Sequence, residues 1–241
     1  MNRKTGFTLA EVLITIGIIG VVAALTIPTL MANIQGAKFR SQFKKTVSTL
    51  HQAVRMSQAQ YDFNFADLDD PFKEGMVECA KQNPEQVKTI CSLFNGTLTG
   101  ATYLGKTSEN EMLKNIYDFD EIYDYESLVW SLADGSLVFI GGNNVSAGKF
   151  IPSDLDLNHI PNTTDGFMAF IDVNGISKPN KRVSCSVGDE TGLDETGRQP
   201  LQACLVKNNP NNLTDIYPVV LFGNTVLPYT NAAKYVLDTT K

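Results

Sequence analysis

The chain has 241 residues, enough for one large domain or two small ones. Apolar residues make up 43% and charged residues 19%, which excludes both a disordered chain and a polytopic membrane protein. The formal net charge of −6 argues against nucleic acid as a partner of the chain as a whole. Two His residues are too few for a His-rich metal site and leave little scope for a Ser-His-Asp or Cys-His enzyme, so we expect a protein without enzymatic activity.

Charge is distributed unevenly along the chain. Residues 12–30 carry no charged group, whereas residues 61–241 carry 13 Lys and Arg residues against 25 Asp and Glu residues, a net charge of −12. Residues 31–60 contain no acid. The five basic residues of that segment are Lys38, Arg40, Lys44, Lys45 and Arg55. This distribution predicts an apolar segment, a basic segment and an acidic globular region, in that order.

The run Val12–Leu30 consists of 19 apolar or small residues. As a helix it would be about 28 Å long, close to the ~30 Å hydrocarbon core of a bilayer. A secretory signal peptide would have a shorter apolar stretch followed by an A-x-A-like site, which is missing here. A plain membrane anchor fits the length but gives no role to Glu11, since a carboxylate at the bilayer centre costs about 2.5–3.5 kcal/mol. From the residues alone, Glu11 could equally lie near the membrane surface, where the helix dipole favours an acid.

The residues in front of this run read Gly6-Phe7-Thr8-Leu9-Ala10-Glu11 and lead directly into it. This motif resembles the prepilin signal of type IV pilins and type II secretion pseudopilins. The resemblance implies that residues 1–6 are a leader peptide and that a prepilin peptidase cleaves between Gly6 and Phe7. It further implies that the new amino group of Phe7 is N-methylated and that Glu11 serves assembly.

Two helix-weakening residues inside the apolar run extend the resemblance. Gly20 and Pro28 fall where the family keeps a Gly and a Pro that loosen the helix, which implies a role for both in assembly. The alternative is that membrane helices contain Gly and Pro more often than other helices do. Glu11 has two candidate partners, the amino group of its own Phe7 or that of a neighbouring subunit. Pairing between subunits would fix their register, because an unpaired charge is costly in a low dielectric.

The resemblance implies a structural subunit of a type IV pilus or a type II secretion pseudopilus. We expect one pass through the inner membrane, with the head in the periplasm or outside the cell and in a filament after assembly. The expected partners are prepilin peptidase, copies of the chain, other pilins or pseudopilins, an inner-membrane assembly platform and the lipid bilayer; nucleic acid is not expected. The alternative is a minor tip pilin or a membrane-anchored binding or adhesion protein with the same leader. Basic residues on both flanks leave the positive-inside rule without a preference for an exported C-terminus.

The pattern after the apolar run predicts a second, amphipathic part of the same helix. We expect a transmembrane or assembly helix over residues 7–32 and an amphipathic helix over residues 33–60, with a weak joint at Gly36. Apolar residues recur at 39, 43, 47, 50, 54 and 61, which is helical spacing. The opposite face consists of Arg40, Lys44, Lys45, Gln52, Arg55 and Gln58. This face would lie either near anionic lipid headgroups or against the acidic heads of adjacent subunits.

The acidic stretch from Asp62 to Glu78 ends the helix, and the patterns that follow predict strands. Two tight hairpins are expected, one with Asp134-Gly135 and one with Asn174-Gly175 as the turn. The second would pair residues 167–173 with Ile176-Ser177, and late strands are expected at 219–222 and 225–227. The predicted fold class is therefore α+β, with the long helix packed on the antiparallel sheet of a head that spans residues 61–241. Trp130 is expected in the core.

The stretch Phe170–Asn180 also resembles the C-terminal strand-turn signature of pseudopilin-like proteins. In these relatives an Asp and a further strand follow within a few residues, whereas here the continuation at Asp215 comes only after an inserted loop at about 181–214. The insertion departs from the family pattern. The only basic cluster of the head is Lys178, Lys181 and Arg182.

Four Cys residues allow three pairings. We expect the sequence-local pairing, Cys79 with Cys91 and Cys185 with Cys204. An even number of Cys residues in an exported head favours disulfides over free thiols. Zinc is not expected, since no C-x-x-C pair occurs.

An acidic, Gly-rich segment lies between the last two Cys residues. Some pseudopilins bind Ca²⁺ in a C-terminal loop, and oxygen ligands suit that ion. The weak Ca²⁺ candidates are Asp189, Glu190, Asp194 and Glu195. Their spacing is not that of an EF-hand, so a solvated acidic loop is the favoured interpretation and no cofactor is expected.

Overall fold

The computed structural model of the protein describes residues 6, 8–62, 79–81, 83, 85, 89–116, 127–145, 166–188, 204–207 and 212–239. The helices of this part are α1 (Leu9–Tyr61), α2 (Ile90–Thr97), α3 (Glu111–Ile116) and α4 (Asn231–Asp238), with a 3-10 turn at Cys79–Lys81. The strands are β1 (Thr102–Lys106), β2 (Ser127–Ser131), β3 (Leu137–Val145), β4 (Gly166–Asp172), β5 (Ile216–Phe222) and β6 (Thr225–Pro228).

Helix α1 is one helix of 53 residues. It ends where Asp62 adopts a left-handed conformation with φ 48° and donates its N–H to the carbonyl oxygen of Gln58 over 3.1 Å. The predicted end of the helix at Asp62 is confirmed. No break accompanies the weak joint predicted at Gly36, since the helix runs through it without interruption. A single Gly costs a helix only about 1 kcal/mol, and Gly36 is buried where α1 enters the head.

The six strands form one antiparallel sheet in the order β1-β2-β3-β4-β5-β6. The predicted α+β fold, a long helix on an antiparallel sheet, is confirmed. The hairpin around Asp134-Gly135 is also confirmed, with Ser131 opposite Leu137. The predicted late strands are confirmed as β5 and β6, which pair antiparallel with Phe222 opposite Thr225.

The second predicted hairpin is wrong, because Ile176-Ser177 is not a strand. Strand β4 pairs instead with β3 and, across the inserted loop, with β5. The side-chain amide of Asn174 donates to the carbonyl oxygens of Ser177 and Lys178 at 3.0 and 2.9 Å, which folds the segment into consecutive turns. Pro179 follows and has no N–H to donate to a strand ladder.

Gly175 brings this turn against the β2–β3 turn. Its φ is +64°, and a Cβ atom there would lie 2.5 Å from the carbonyl oxygen of Gly135. The two turns therefore touch at the same end of the sheet, and only glycine fits at the contact.

The second half of α1 packs on one face of the sheet. Phe43 stacks on Tyr217 with 4.2 Å between ring centroids, and Trp130, buried as predicted, meets Phe94 of α2 edge-on at 5.0 Å. A smaller cluster lies on the other face of the sheet. It consists of Leu113, Val129, Leu137, Phe139, Phe170 and Ile216.

Strand β5 runs alongside α1 in the same direction. Tyr217 at its start stacks on Phe43, and Asn224 just after its end donates to the side-chain oxygen of Gln58 at 3.0 Å. The helix from Phe43 to Gln58 and the strand segment from Tyr217 to Asn224 have the same length, since 15 helical residues and seven strand residues both span about 23 Å. The start of β5 therefore lies at the end of the head nearest to the first half of α1. We call this the N-proximal end; it comprises residues 133–136, residues 173–182, Asp215 and the C-terminal end of α4.

Two residues of the predicted outward basic face contact the N-proximal end instead. Nζ of Lys45 lies 3.0 Å from Oδ2 of Asp134, and Nζ of Lys44 donates to the carbonyl oxygen of Thr239 at 2.6 Å. Both lysines thus contact the head of their own chain, although the side chain of Lys45 remains 65% exposed. The head places the carboxylate of Asp134 and the C-terminal end of α4 next to these lysines, and both attract cations.

Both disulfides have the pairing that sequence proximity favours, Cys79 with Cys91 and Cys185 with Cys204. In the chain-entropy model, loops of 12 and 19 residues each contribute about 3 kcal/mol. The second bond closes the inserted loop, which begins and ends next to the sheet: Arg182 bridges to Ile216, and Val187 pairs with Leu205.

Candidate functional site at the start of the long helix

The first turn of α1 is fixed by a reciprocal pair of side chains. Thr8 is the N-cap, and its hydroxyl oxygen accepts the N–H of Glu11 at 3.3 Å. In return, Oε2 of Glu11 accepts the N–H of Thr8 at 2.8 Å and its hydroxyl at 2.9 Å. This is a capping box, which satisfies helix N–H groups that otherwise have no partner.

Thr8 is a site residue that the sequence analysis missed. The signal was available, because Thr, two intervening residues and Glu in front of an apolar run is the capping-box pattern. Both bonds from Thr8 go to Oε2, so the second oxygen of Glu11 takes no part in the cap. The carboxylate therefore caps its own helix and retains an oxygen for another donor.

The large apolar side chains at the start of α1 are exposed in the described part of the chain, whereas the small side chain of Ala32 is buried. Leu9 is 78% exposed and Ile19 is 67% exposed, and large apolar side chains remain exposed as far as Ile34. In the part of the chain that the structure describes, α1 is the one helix long and apolar enough to cross a membrane. An apolar surface of this size marks a contact with a membrane or with other protein molecules.

Gly20 and Pro28 lie within this exposed segment. Helix α1 continues through both, and space is open around Gly20, where a Cβ atom would meet no atom within 4 Å. Nothing within the described chain therefore requires a glycine there.

Several predicted site residues lie outside the described residues. Phe7 is one of them, whereas Gly6 is described and exposed. The four Ca²⁺ candidates also lie outside: Asp189, Glu190, Asp194 and Glu195. Within the described ranges, no group of three or more His, Cys, Asp or Glu side chains is placed to hold a metal ion.

Asp215 is a buried carboxylate at the N-proximal end. Its Oδ1 accepts the N–H of Lys181 at 2.8 Å, and its Oδ2 accepts the N–H of Asn180 at 3.1 Å. Burial raises the pKa of Asp215 to about 6, although these two hydrogen bonds favour the charged form and lower it in part. Through these two hydrogen bonds, Asp215 holds the turn after β4 against the start of β5.

A family model matches the N-terminal part of the chain. Residues 1–27 match the prokaryotic N-terminal methylation motif. No curated protein and no solved structure matches the chain.

The fold and the site together define a class of protein. A single apolar helix, capped by a Thr–Glu pair and continued into an α+β head, fits a single-pass membrane anchor. The matched motif is the prepilin-type signal of type IV pilins and pseudopilins, and residues 1–27 of this chain carry it. The signal implies processing by prepilin peptidase and assembly with other pilins.

Proposed function

We propose that the chain is a structural subunit of a type IV pilus or a type II secretion pseudopilus. Prepilin peptidase removes residues 1–6, the amino group of Phe7 is methylated, and the mature chain remains in the inner membrane with its head outside the cytoplasm until it is assembled. One observation carries the proposal: the methylation motif runs directly into an apolar helix that nothing in the described chain covers. The partners are other pilins or pseudopilins, copies of the chain, the assembly platform and the bilayer.

The capping geometry gives Glu11 a specific part in this assembly. Cleavage would create a positive amino group on Phe7, one residue before Thr8, whose nitrogen lies 2.8 Å from Oε2 of Glu11. The carboxylate is thus placed to compensate a charge at this end of the helix, either on its own chain or on a neighbour. In a low dielectric, such pairing removes most of the cost of an isolated charge and so favours one register between subunits.

Replacement of Gly6 tests the processing step. We expect Gly6→Ala to leave an uncleaved precursor, visible as a slower band on a denaturing gel of membranes from cells that contain prepilin peptidase. Gly20→Ala is the matched control, because the same methyl group is added at a position with open space; its processing should be normal. Cleavage of Gly6→Ala at the wild-type rate would contradict the proposal.

Two variants of Glu11 separate its charge from its cap. Glu11→Gln removes the charge but keeps an oxygen that can accept from Thr8, whereas Glu11→Ala removes both. If the charge serves assembly, both variants are cleaved normally and both yield far less sheared filament than the wild type. A wild-type filament yield from Glu11→Gln would contradict a role for the charge.

A second candidate function is that of a minor tip pilin or an adhesion subunit with the same anchor. The inserted loop favours it, because a disulfide closes the loop at Cys185 and Cys204 while the bridged residues Val187 and Leu205 remain exposed. Abundance discriminates the two. A major subunit dominates the protein of sheared filaments, whereas a minor one is scarce there.

A further inference from the structure

The basic cluster of the head lies at its N-proximal end. Lys178, Lys181 and Arg182 are exposed in the turn after β4. The bonds from Asp215 to the backbone of this turn, and the bridge from Arg182 to Ile216, hold the cluster at the start of β5. The three cations therefore lie at the end of the head nearest to the apolar half of α1.

Helix α1 adds further cations at the same end of the head. Lys38 is exposed on α1 two residues after Gly36, and Lys44 and Lys45 lie at the level of the β2–β3 turn. Of the acids described here, Asp134 is paired with Lys45 and Asp172 and Asp215 are buried, which leaves Asp238 exposed. The described N-proximal end is thus positive, although residues 61–241 carry a net charge of −12.

The distance from the apolar segment brings these cations within reach of a membrane surface. Exposed apolar side chains continue as far as Ile34. Lys38 follows about 6 Å further along the helix axis, and Lys45 about 16 Å further. Lysine side chains span several ångströms, and the field of anionic headgroups extends about 8 Å at physiological ionic strength.

The turn that carries the cluster is built as a fixed platform. Gly175 touches the backbone of Gly135, and the guanidinium carbon of Arg182 lies 6.0 Å from the centre of the Phe170 ring. Because the backbone is fixed in this way, the cluster is held at the N-proximal end without a further entropy cost for ordering the turn.

We propose that the N-proximal end of the head is a docking surface for anionic lipid headgroups. The inference rests on the membrane anchorage in the proposed function and extends it: the head lies on an anionic leaflet while α1 spans the bilayer, and is released when the subunit enters a filament. Each cation near the surface should favour the docked head about fivefold. Neutralising two of them should reduce docking by roughly 25-fold.

The test uses the full-length mature chain in nanodiscs of phosphatidylcholine, with or without phosphatidylglycerol. All four native Cys residues are in disulfides, so one added thiol can be labelled selectively. A fluorophore on Ile176→Cys reports on the N-proximal end, and one on Asn224→Cys reports on the opposite end of the head. Quenching by a nitroxide on the lipid headgroup measures the proximity of each probe to the membrane.

We expect strong quenching at Ile176→Cys in discs with phosphatidylglycerol, weak quenching in discs without it, and none at Asn224→Cys. Lys178→Gln/Lys181→Gln should weaken docking in discs with phosphatidylglycerol roughly 25-fold, and high salt should abolish the lipid dependence. The control Arg55→Gln/Lys114→Gln, which has the same change in net charge on exposed residues elsewhere, should retain it.

Equal quenching of Ile176→Cys in both lipids, by chains that remain in the discs, overturns this inference and leaves the proposed function standing. Failure of the chain to co-purify with either disc overturns both. If lipid makes no difference but Lys178→Gln/Lys181→Gln abolishes cross-linking between heads in filaments, the surface binds the acidic head of a second copy and the inference is wrong.

Discussion

The two halves of α1 have the same backbone conformation and opposite surroundings. In the first half Ile19 is 67% exposed, whereas in the second half Phe43 is fully buried against the sheet. A helix of apolar residues can therefore be continuous while only one part of it contributes to the folded head. The stabilisation of the first half must come from lipid or from neighbouring subunits, since burial of its apolar surface is what favours either contact.

The largest predicted effect separates the two halves by matched truncations. Phe43→Ala removes a buried ring from the core and should lower the free energy of unfolding of the head by about 3–5 kcal/mol. Ile19→Ala should leave that free energy unchanged, because Ile19 is largely exposed and lies far from the head along α1. Denaturant unfolding in detergent measures both. Equal losses in the two variants would show that the first half of α1 is part of the folded core.

The second prediction concerns Asp215 of the head, two residues before the Tyr217 on which Phe43 of the second half stacks. The pKa of Asp215 is about 6 in the folded head against 3.8 as the ordinary value, so the folded state binds more protons between these two pH values. The contribution of Asp215 to stability is therefore fully present below pH 3.8 and is lost as the pH rises through about 6, by up to about 3 kcal/mol.

Asp215→Asn should remove this pH-dependent part, because Asn does not titrate, although it also loses one acceptor of the two backbone bonds. Urea unfolding at about pH 4 and about pH 7 compares the variant with the wild type. An unchanged difference in stability between these two pH values would contradict the assigned role of Asp215.

The smallest predicted effect is local to the first half. Thr8→Ala removes the N-cap and should destabilise the first turn of α1 by about 1 kcal/mol, seen as faster amide exchange at Glu11. The unfolding of the head should not change. The control is Thr15→Ala, whose hydroxyl donates only within the helix, to the carbonyl oxygen of Val12 at 2.9 Å. Slow exchange at Glu11 in Thr8→Ala would show that the cap does not hold this turn.

Elements that depend on residues close together in the sequence could be predicted, whereas pairings between residues far apart in the sequence could not. The long helix and the Asp134-Gly135 hairpin follow from local patterns, and both are confirmed. The partner of β4 could not be predicted in this way, because β5 is separated from it by the inserted loop. The helices α2, α3 and α4 span eight, six and eight residues, too short for a helical period to emerge, and they were not predicted.

The candidate site was predictable for a different reason. Its residues are contiguous, so the motif from Gly6 to Glu11 could be recognised without knowledge of the fold. The positions of Lys44 and Lys45 were not predictable, because helical periodicity places them on an outer face while the acceptors come from turns distant in sequence. For the same reason the placement of Lys178, Lys181 and Arg182 at one end of the head depends on the structure.

The most direct test of the account is the N-terminal residue of the mature protein. Mass analysis of the N-terminal peptide, with protein taken from membranes of cells that contain prepilin peptidase, should find a chain that begins with N-methylated Phe7. Cells without the peptidase should yield the precursor with residues 1–6 attached. A mature chain that begins at any other residue would contradict the account.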